Sequence, residues 1–304
     1  MEINELMGRY LIELRDIRLL SPFTIRTYSY DLSTFCNYID DQEIDSITGV
    51  DRKTIRSYLV FLADRSYERS SMARKLSVVR MFFKWLLKEH IVSIDPIPKR
   101  ASLKRDKKLP RFLSIDEMNR LSEAPHLNNE ILSHIANRDA VIIDLLYATG
   151  LRVSEVFYIN IDDIDFELNS VKVIGKGSKE RIVFFGNYTG DLLTQYIANF
   201  RSAFLNKIDR KEAALFLSQK GNRLSVRSIQ QRIKRYTKLA GLDKSVHTHT
   251  LRHTYATHML NGGADLRIVQ DLLGHASPNT TQIYTHISSL EARKSYLIAH
   301  PLSE

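Results

Sequence analysis

Residues 249–286 read HTLRHTYATHMLNGGADLRIVQDLLGHASPNTTQIYTH. The run carries His249, Arg252, His275 and Tyr284 at short spacings. Upstream, ATGLRVSE at 148–155 supplies Arg152, and VIGKGSKERIVFF at 173–185 supplies Lys176 at the tip of a predicted hairpin. Two arginines bind the non-bridging oxygens of one phosphate with fork geometry. Two histidines and a lysine can move protons, and a tyrosine can attack. A metal-free phosphodiester transfer needs that set, because charge at phosphorus must be neutralised while both oxygens exchange protons.

Each residue also has a plainer reading. Arg152 follows Gly150-Leu151, which sets it at a turn into a helix, and Glu155 three residues on is placed to orient it. An ordinary surface Arg–Glu pair is the alternative. Lys176 lies between Gly175 and Gly177, where an exposed tip lets an ammonium reach a neighbouring groove. Like-charge repulsion from Arg152 and Arg252 would lower its pKa and suit it to protonating a departing 5′ oxygen. Lys179 is its rival in the same loop, and a turn lysine kept for solubility is the alternative.

His249 and Arg252 are three apart, on one face of a helix start. His249 and His253 have zinc-ligand spacing, with His247, His258, His275 and His286 nearby. Yet no Glu follows His249 as in HExxH, no cysteine joins, and an arginine falls inside the cluster, so no metal is expected. His253, His258 and His286 read as structural or solvent-facing. Gly274 ends a helix before His275, which is placed to donate to a non-bridging oxygen. Tyr284 falls on a short helix opened by Thr280-Thr281, where a buried core tyrosine is the alternative. A free phenol has a pKa near ~10, so adjacent cations must stabilise its anion during attack.

The 304-residue length suits two domains, each with its own core. A formal net charge of +9 favours a polyanionic partner. The single cysteine, Cys36, excludes an intrachain disulfide framework and fits a reducing cytoplasm. The first twenty residues alternate charge with apolarity and carry no signal peptide. The most apolar run, Ala140 to Ala148, is broken by Asp144 and too short to span a bilayer.

Four helical segments fill the first hundred residues. Ser21 caps the second, with Pro22 at its first position, and Ile25, Tyr28, Leu32, Phe35 and Ile39 follow helical spacing. A third covers Asp51 to Ala63, with Ile55, Leu59 and Leu62 apolar. The fourth follows Ser70-Ser71 to about His90, with the stripe Leu76, Val79, Phe83 and Leu86-Leu87. Arg74, Arg80, Lys84 and Lys88 fall on roughly a third of its circumference. They read as a phosphate-contacting face or, more plainly, as a solvated basic one. Pro98 to Phe112, with Lys104, Arg105, Lys107 and Lys108, reads as an extended basic linker bounded by prolines. Beyond it, Ser114 and Glu117 form a capping box, and an apolar helix covers Asp139 to Thr149. Alternating segments around Ser170–Ile174 (Val171, Val173) and Arg181–Phe185 (Ile182, Phe184) read as two strands of a small sheet. Ser225 caps a helix from Val226 to Leu239 whose apolar stripe is Ile229, Ile233 and Tyr236. Its opposite stripe, Arg227, Gln231, Lys234 and Lys238, has side chains suited to base edges in the major groove, or is a solvated basic face.

The order Arg152, Lys176, His249-x-x-Arg252, His275, Tyr284, in this local wording, resembles the tyrosine recombinase/integrase family, most closely its Xer subgroup. The similarity runs over nearly the whole chain. It implies a mainly α fold: an all-α, SAM-like core-binding domain at 1–97, a linker at 98–112, and a catalytic α+β domain with a small antiparallel sheet at 113–304. The family's spacing favours Lys176 over Lys179. The resemblance implies attack by Tyr284 on a DNA phosphate, giving a 3′-phosphotyrosyl link and a free 5′ hydroxyl, with no cofactor, metal or ATP. It implies strand exchange through a Holliday junction, in a ring of four protomers on paired inverted half-sites of double-stranded DNA. The ring would be a homotetramer or a heterotetramer with a paralogue, and an activating DNA translocase is a further partner left open. Chromosome-dimer resolution in the cytoplasm, at the nucleoid, is the first reading. A mobile-element integrase is the second, and a type IB topoisomerase or a catalytically idle DNA-binding module are readings of other classes. Phe184-Phe185-Gly186 departs from the family's usual apolar-Pro-small strand ending, and residues 124–137 look longer than in close Xer relatives. No arm-binding domain is expected before Met1. The tail after Ser288, with Leu290, Tyr296 and Leu297, is expected to bury little on its own protomer and to dock on a neighbour.

Overall fold

A computed structural model describes residues 3–98, 111–127, 131–175, 180–205, 212–274 and 289–303. Lys104, Arg105, Lys107 and Lys108 of the linker, and Lys176, Lys179, His275 and Tyr284, lie outside the described residues. The chain divides into two compact units, Met1–Lys108 and Leu109–Glu304.

The first unit is all helical: α1 (Ile3–Asp16), α2 (Pro22–Asp41), α3 (Arg52–Asp64) and α4 (Arg69–Lys88). Local chemistry sets the starts. The Ser21 hydroxyl accepts the Thr24 amide at 3.2 Å ahead of Pro22, and Asp51 accepts the Thr54 amide at 2.7 Å in a capping box. The apolar stripes converge on one core: Leu32, Phe35, Ile39, Ile55, Leu62, Leu76, Val79, Phe83 and Leu86 are all buried. Ile25, Tyr28, Leu59 and Leu87 pack at its edge and are only partly buried. Cys36 is buried there, which pushes its thiol up to about 12 and leaves it inert at neutral pH. The periodicity did not announce a charged pair inside this core. Asp31 and Lys75 are fully buried, with Lys75 Nζ 3.0 Å from Asp31 Oδ1 and 2.9 Å from Thr34 Oγ1. Burial of both charges together avoids the penalty of an unpaired one.

The second unit opens with α5 (Ile115–Glu123), whose Ser114–Glu117 capping box is present. The central helix α6 (Ser133–Thr149) begins six residues before the expected start at Asp139 and is buried along most of its length. Short helix α7 (Val153–Tyr158) leads to a three-stranded antiparallel sheet, β1 (Ile164–Asp165), β2 (Ser170–Ile174) and β3 (Glu180–Phe184), in the order β1-β2-β3. β1 was not expected, because two residues carry no readable alternation. The phase of β3 also differs from the expectation. Val183, opposite Val171, is buried, whereas Ile182 is exposed; Phe184 is buried on the other face, beneath the C-terminal helix. Helices α8 (Asn187–Gln195), α9 (Ser202–Leu205), α10 (Val226–Leu239), α11 (Thr248–Asn261), α12 (Leu266–Leu273) and α13 (Ser289–Ala299) complete the unit. The main core joins α5, α6, β2, β3 and α10.

The tail corrects the sequence expectation. α13 docks on its own chain, against α11, α12 and β3, with Tyr296 fully buried. A short helix buries little only when it lacks a prepared seat, and here two glycines provide one. A Cβ on Gly262 would stand 2.1 Å from the Ala299 carbonyl oxygen, and one on Gly186 would stand 1.8 Å from that of Leu302. Buried His300 stacks on Tyr296 with ring centroids 5.0 Å apart, and burial pushes its imidazole down to about 3, so it is neutral. Leu290 and Leu297, expected to seek a partner, are exposed.

Candidate active site

Gly150 ends α6 in the left-handed conformation (φ 62°), where a Cβ would also meet the Tyr255 ring at 2.5 Å. That turn delivers Arg152 to the N-cap of α7. Glu155, at the third helical position, accepts the Arg152 amide at 2.8 Å through Oε2 and Arg152 Nη1 at 2.9 Å through Oε1. The expected pairing is therefore part of the helix cap as well as an ion pair.

A third arginine joins them that sequence reasoning did not single out. Arg181 lies on β3 opposite Val173, in phase with Val183, so the strand aims it at Glu155. Its Nη1 and Nη2 donate to Glu155 Oε1 and Oε2, each at 2.9 Å, in a bidentate fork. Burial opposes ionisation of Glu155, but the Arg181 fork and the Arg152 amide outweigh it and hold the carboxyl below the usual range. The signal that could have found Arg181 was the alternation Val171, Val173, Arg181, Val183 across the hairpin, in which an arginine takes a core-facing position.

Arg252 comes from the first turn and a half of α11 and is 8% exposed. It donates through Nη1 to the Gly150 carbonyl at 2.7 Å and through Nη2 to that of Leu273 at 2.5 Å. Burial, with Arg152 and Arg181 nearby, lowers its pKa to about 10, which leaves it charged at neutral pH. The end of α12 is thus capped by guanidiniums: Leu272 O accepts from Arg181 Nε at 2.9 Å, Leu273 O from Arg252, and Gly274 O from Arg152 Nη2 at 3.4 Å. Carbonyls at a helix C-terminus lack intrahelical partners and carry partial negative charge, so cations settle there. Gly274, with φ 65°, turns the chain away, and a Cβ on it would stand 3.1 Å from Arg181 Nη1. His275 follows it directly in sequence.

His249 lies near the start of α11, with its ring exposed and 6.0 Å from that of His247 between centroids. Partial desolvation, then His247, Arg252 and Arg152, lower its pKa, which keeps the imidazole neutral and able to accept a proton. His258 is buried with Nδ1 2.7 Å from Tyr147 Oη, and His253 is half-buried on the same helix. Among the described residues, no three His, Cys, Asp or Glu side chains gather as a metal would require. The structure therefore brings together Arg152, Glu155 and Arg252, adds Arg181, and sets His249 one turn of α11 from Arg252.

The basic faces are placed as follows. In α10, Arg227, Gln231, Lys234 and Lys238 are exposed, while Ile229, Ile233 and Tyr236 are buried. The helix is pinned by Asp139 on α6, whose Oδ2 accepts from Arg232 and from Tyr236 Oη, each at 2.7 Å. In α4, Lys84 and Lys88 are exposed, but Arg74 is tied to Asp31 and Arg80 reaches the Pro98 carbonyl at 3.4 Å. Half of that expected phosphate face is thereby engaged within the protein. No helix among the described residues is long and apolar enough to cross a membrane.

Residues 111–291 match the phage integrase family, and residues 7–90 match the phage integrase N-terminal SAM-like domain. The chain is 39% identical over 299 residues to the tyrosine recombinase XerD of Staphylococcus epidermidis, covering 98% of this chain and 99% of that protein. It is 37% identical over 299 residues to the tyrosine recombinase XerC of Anoxybacillus flavithermus, covering 98% of each. In fold it is similar to the XerH site-specific recombinase bound to palindromic difH substrate in a post-cleavage complex, with a TM-score of 0.72 at 23% identity over 96% of this chain and 83% of that one. A lambda integrase (75–356) dimer bound to a COC′ core site gives 0.70 at 16% identity over 95% and 100%.

Proposed function

Because this chain belongs to the phage integrase family and is a site-specific DNA recombinase of the Xer tyrosine-recombinase type, we propose that Tyr284 is its nucleophile. Its phenolic oxygen attacks a DNA phosphate, forming a 3′-phosphotyrosyl bond and releasing the 5′ oxygen. Neutral His249 takes the phenol proton, and Lys176 gives a proton to the departing 5′ oxygen. Arg152 and Arg252 neutralise the non-bridging oxygens, assisted by His275, and Glu155 orients Arg152. A 5′ hydroxyl from a partner duplex reverses the step, so the bond energy stays in the covalent link and no ATP is consumed. The observation that carries this reading is the convergence of Arg152, from the N-cap of α7, and Arg252, from α11, on the last carbonyls of α12. Those carbonyls immediately precede the segment that holds His275 and Tyr284 in sequence.

The DNA partner is a duplex with paired inverted half-sites of about one turn each, about 28 base pairs with a short spacer. The exposed stripe of α10, Lys84 and Lys88 of α4, and linker residues Lys104, Arg105, Lys107 and Lys108 are its contacts. Resolution of chromosome or plasmid dimers, hence chromosome partition at cell division on the cytoplasmic nucleoid, is the role that the Xer relatives support. Four protomers, identical or paired with a paralogue, would act together. Exchange of α13 between protomers would require it to leave the surface of α11, α12 and β3 that receives it in its own chain.

Tyr284→Phe tests the chemistry. A suicide substrate nicked beside the cleavage site should yield a covalent protein–DNA band with the wild type, also in EDTA, and none with the variant, whose DNA binding is unchanged. A band that survives the substitution removes Tyr284 from the role.

A further inference from the structure

The three guanidiniums at this site are not equivalent. Arg181 commits Nε to the Leu272 carbonyl and both terminal nitrogens to Glu155, and its side chain is 14% exposed. Arg152 shares the same carboxylate but remains 31% exposed. Paired with Arg152 alone, Glu155 would cancel the charge that an anionic ligand needs, in a buried setting where that cancellation is strong. With Arg181 present, the three guanidiniums of Arg152, Arg181 and Arg252 face one carboxylate and leave two net positive charges.

We propose that Arg181 is a positioning residue whose charge offsets Glu155, so that Glu155 can orient Arg152 while the Arg152 charge stays available to the scissile phosphate. The inference rests on the reading that Arg152 contacts that phosphate. Three features fit Arg181 to this task. Its fork takes both Glu155 oxygens, which keeps the carboxylate from rotating away from the Arg152 amide. Its third nitrogen ties the pair to the end of α12. Gly274 leaves the space that the guanidinium fills. A lysine retains the charge but cannot span both oxygens and the Leu272 carbonyl from one nitrogen.

The test compares two suicide substrates, one with an ordinary scissile phosphodiester and one with a methylphosphonate there. The latter has a methyl group in place of one non-bridging oxygen and carries no charge. Arg181→Gln should slow single-turnover cleavage of the phosphodiester by about tenfold or more, a smaller loss than removing a direct phosphate contact. On the methylphosphonate the loss should be several-fold smaller, because little charge remains to be neutralised. Glu155→Gln combined with Arg181→Gln should recover part of the phosphodiester rate lost in the single variant, since the carboxylate to be offset is gone while the glutamine oxygen can still accept one Arg152 contact. Arg181→Lys should fall between wild type and Arg181→Gln, and with the double variant it carries the comparison should the single variant not fold. Equal losses on both substrates, with no recovery in the double variant, overturn the proposal and leave Arg181 a packing residue. If Arg152→Ala cleaves the phosphodiester as fast as wild type, the reading of Arg152 fails first, and this inference fails with it.

Discussion

Replacing Arg252 with lysine separates what its charge does from what its shape does. Arg252 has five N–H donors. Among the described residues, two are engaged by the Gly150 and Leu273 carbonyls, at 2.7 and 2.5 Å, which leaves three as candidates for a phosphate. A lysine keeps the charge at a single nitrogen on a stem of different geometry. It can serve one buried carbonyl or the phosphate, but not both carbonyls and the phosphate together. Loss of one oriented transition-state contact costs about 2.7–4 kcal/mol, or two to three decades in cleavage rate. A carbonyl left without its donor in a buried site costs about 1–3 kcal/mol of stability. Arg252→Lys should therefore cleave nearly as poorly as Arg252→Ala, while Arg252→Ala, which strands both carbonyls, should be the less stable of the two. Single-turnover cleavage at saturating protein measures the first effect, and urea unfolding measures the second. Rates are compared at a temperature where every variant is folded. A rate for Arg252→Lys within about threefold of wild type would exclude a forked contact, and with it the placement of Arg252 on the phosphate.

Lys176→Ala should cleave ordinary DNA very slowly, yet be rescued by sulfur at the bridging 5′ position, since a thiolate leaves without a proton; rescue of Lys179→Ala instead would reassign the acid. Asp144 is buried and accepts a hydrogen bond from Thr189 Oγ1 at 2.7 Å, and burial raises its carboxyl to about 6 from 3.8. Its stabilising contribution is complete below the unfolded value and is lost as pH rises through the folded one. Asp144→Asn should therefore be more stable than wild type by up to about 3 kcal/mol above pH ~7, with the gap closing toward pH ~4. A gap that does not vary with pH in urea titrations contradicts an ionising Asp144. Tyr296→Ala should destabilise the second unit by about 3–5 kcal/mol, as expected for loss of a buried aromatic ring; an unchanged melting curve would mean that α13 is not seated on its own chain. Deleting residues after Ser289 removes Tyr296 and its cis contacts, so at a temperature where the truncated chain is still folded it should bind a single half-site and lose cooperative filling of the full site in a gel-shift titration. Cooperative filling at wild-type levels would remove the tail from protomer contact.

Wherever one face of an element meets one environment, local pattern was enough. The α2, α3, α4 and α10 stripes, the Ser21, Ser114 and Ser225 caps and the positions of β2 and β3 were legible because periodicity and capping chemistry act within a few residues. The motif order Arg152, His249, Arg252 was legible for the same reason: each sits in a short stretch of informative text. What the sequence could not determine depends on surfaces that meet from far apart in the chain. Arg181 reads as one more hairpin cation until the β2–β3 register turns it onto Glu155 and the end of α12. Arg74 and Lys75 read as neighbouring basic residues until α2 brings Asp31 to them. The short α13 lacks a strong apolar face of its own, and its cis seat exists only because Gly262 leaves room for the Ala299 carbonyl at its end and Gly186, far away in sequence, for the Leu302 carbonyl just beyond it. Sequence alone determined the long amphipathic helices, the positions of β2 and β3 and the chemical inventory, since hydrophobic period and capping are local. Only the tertiary structure decided which charges share a carboxylate and where the tail lies, because pairing and seating depend on distances that folding alone creates.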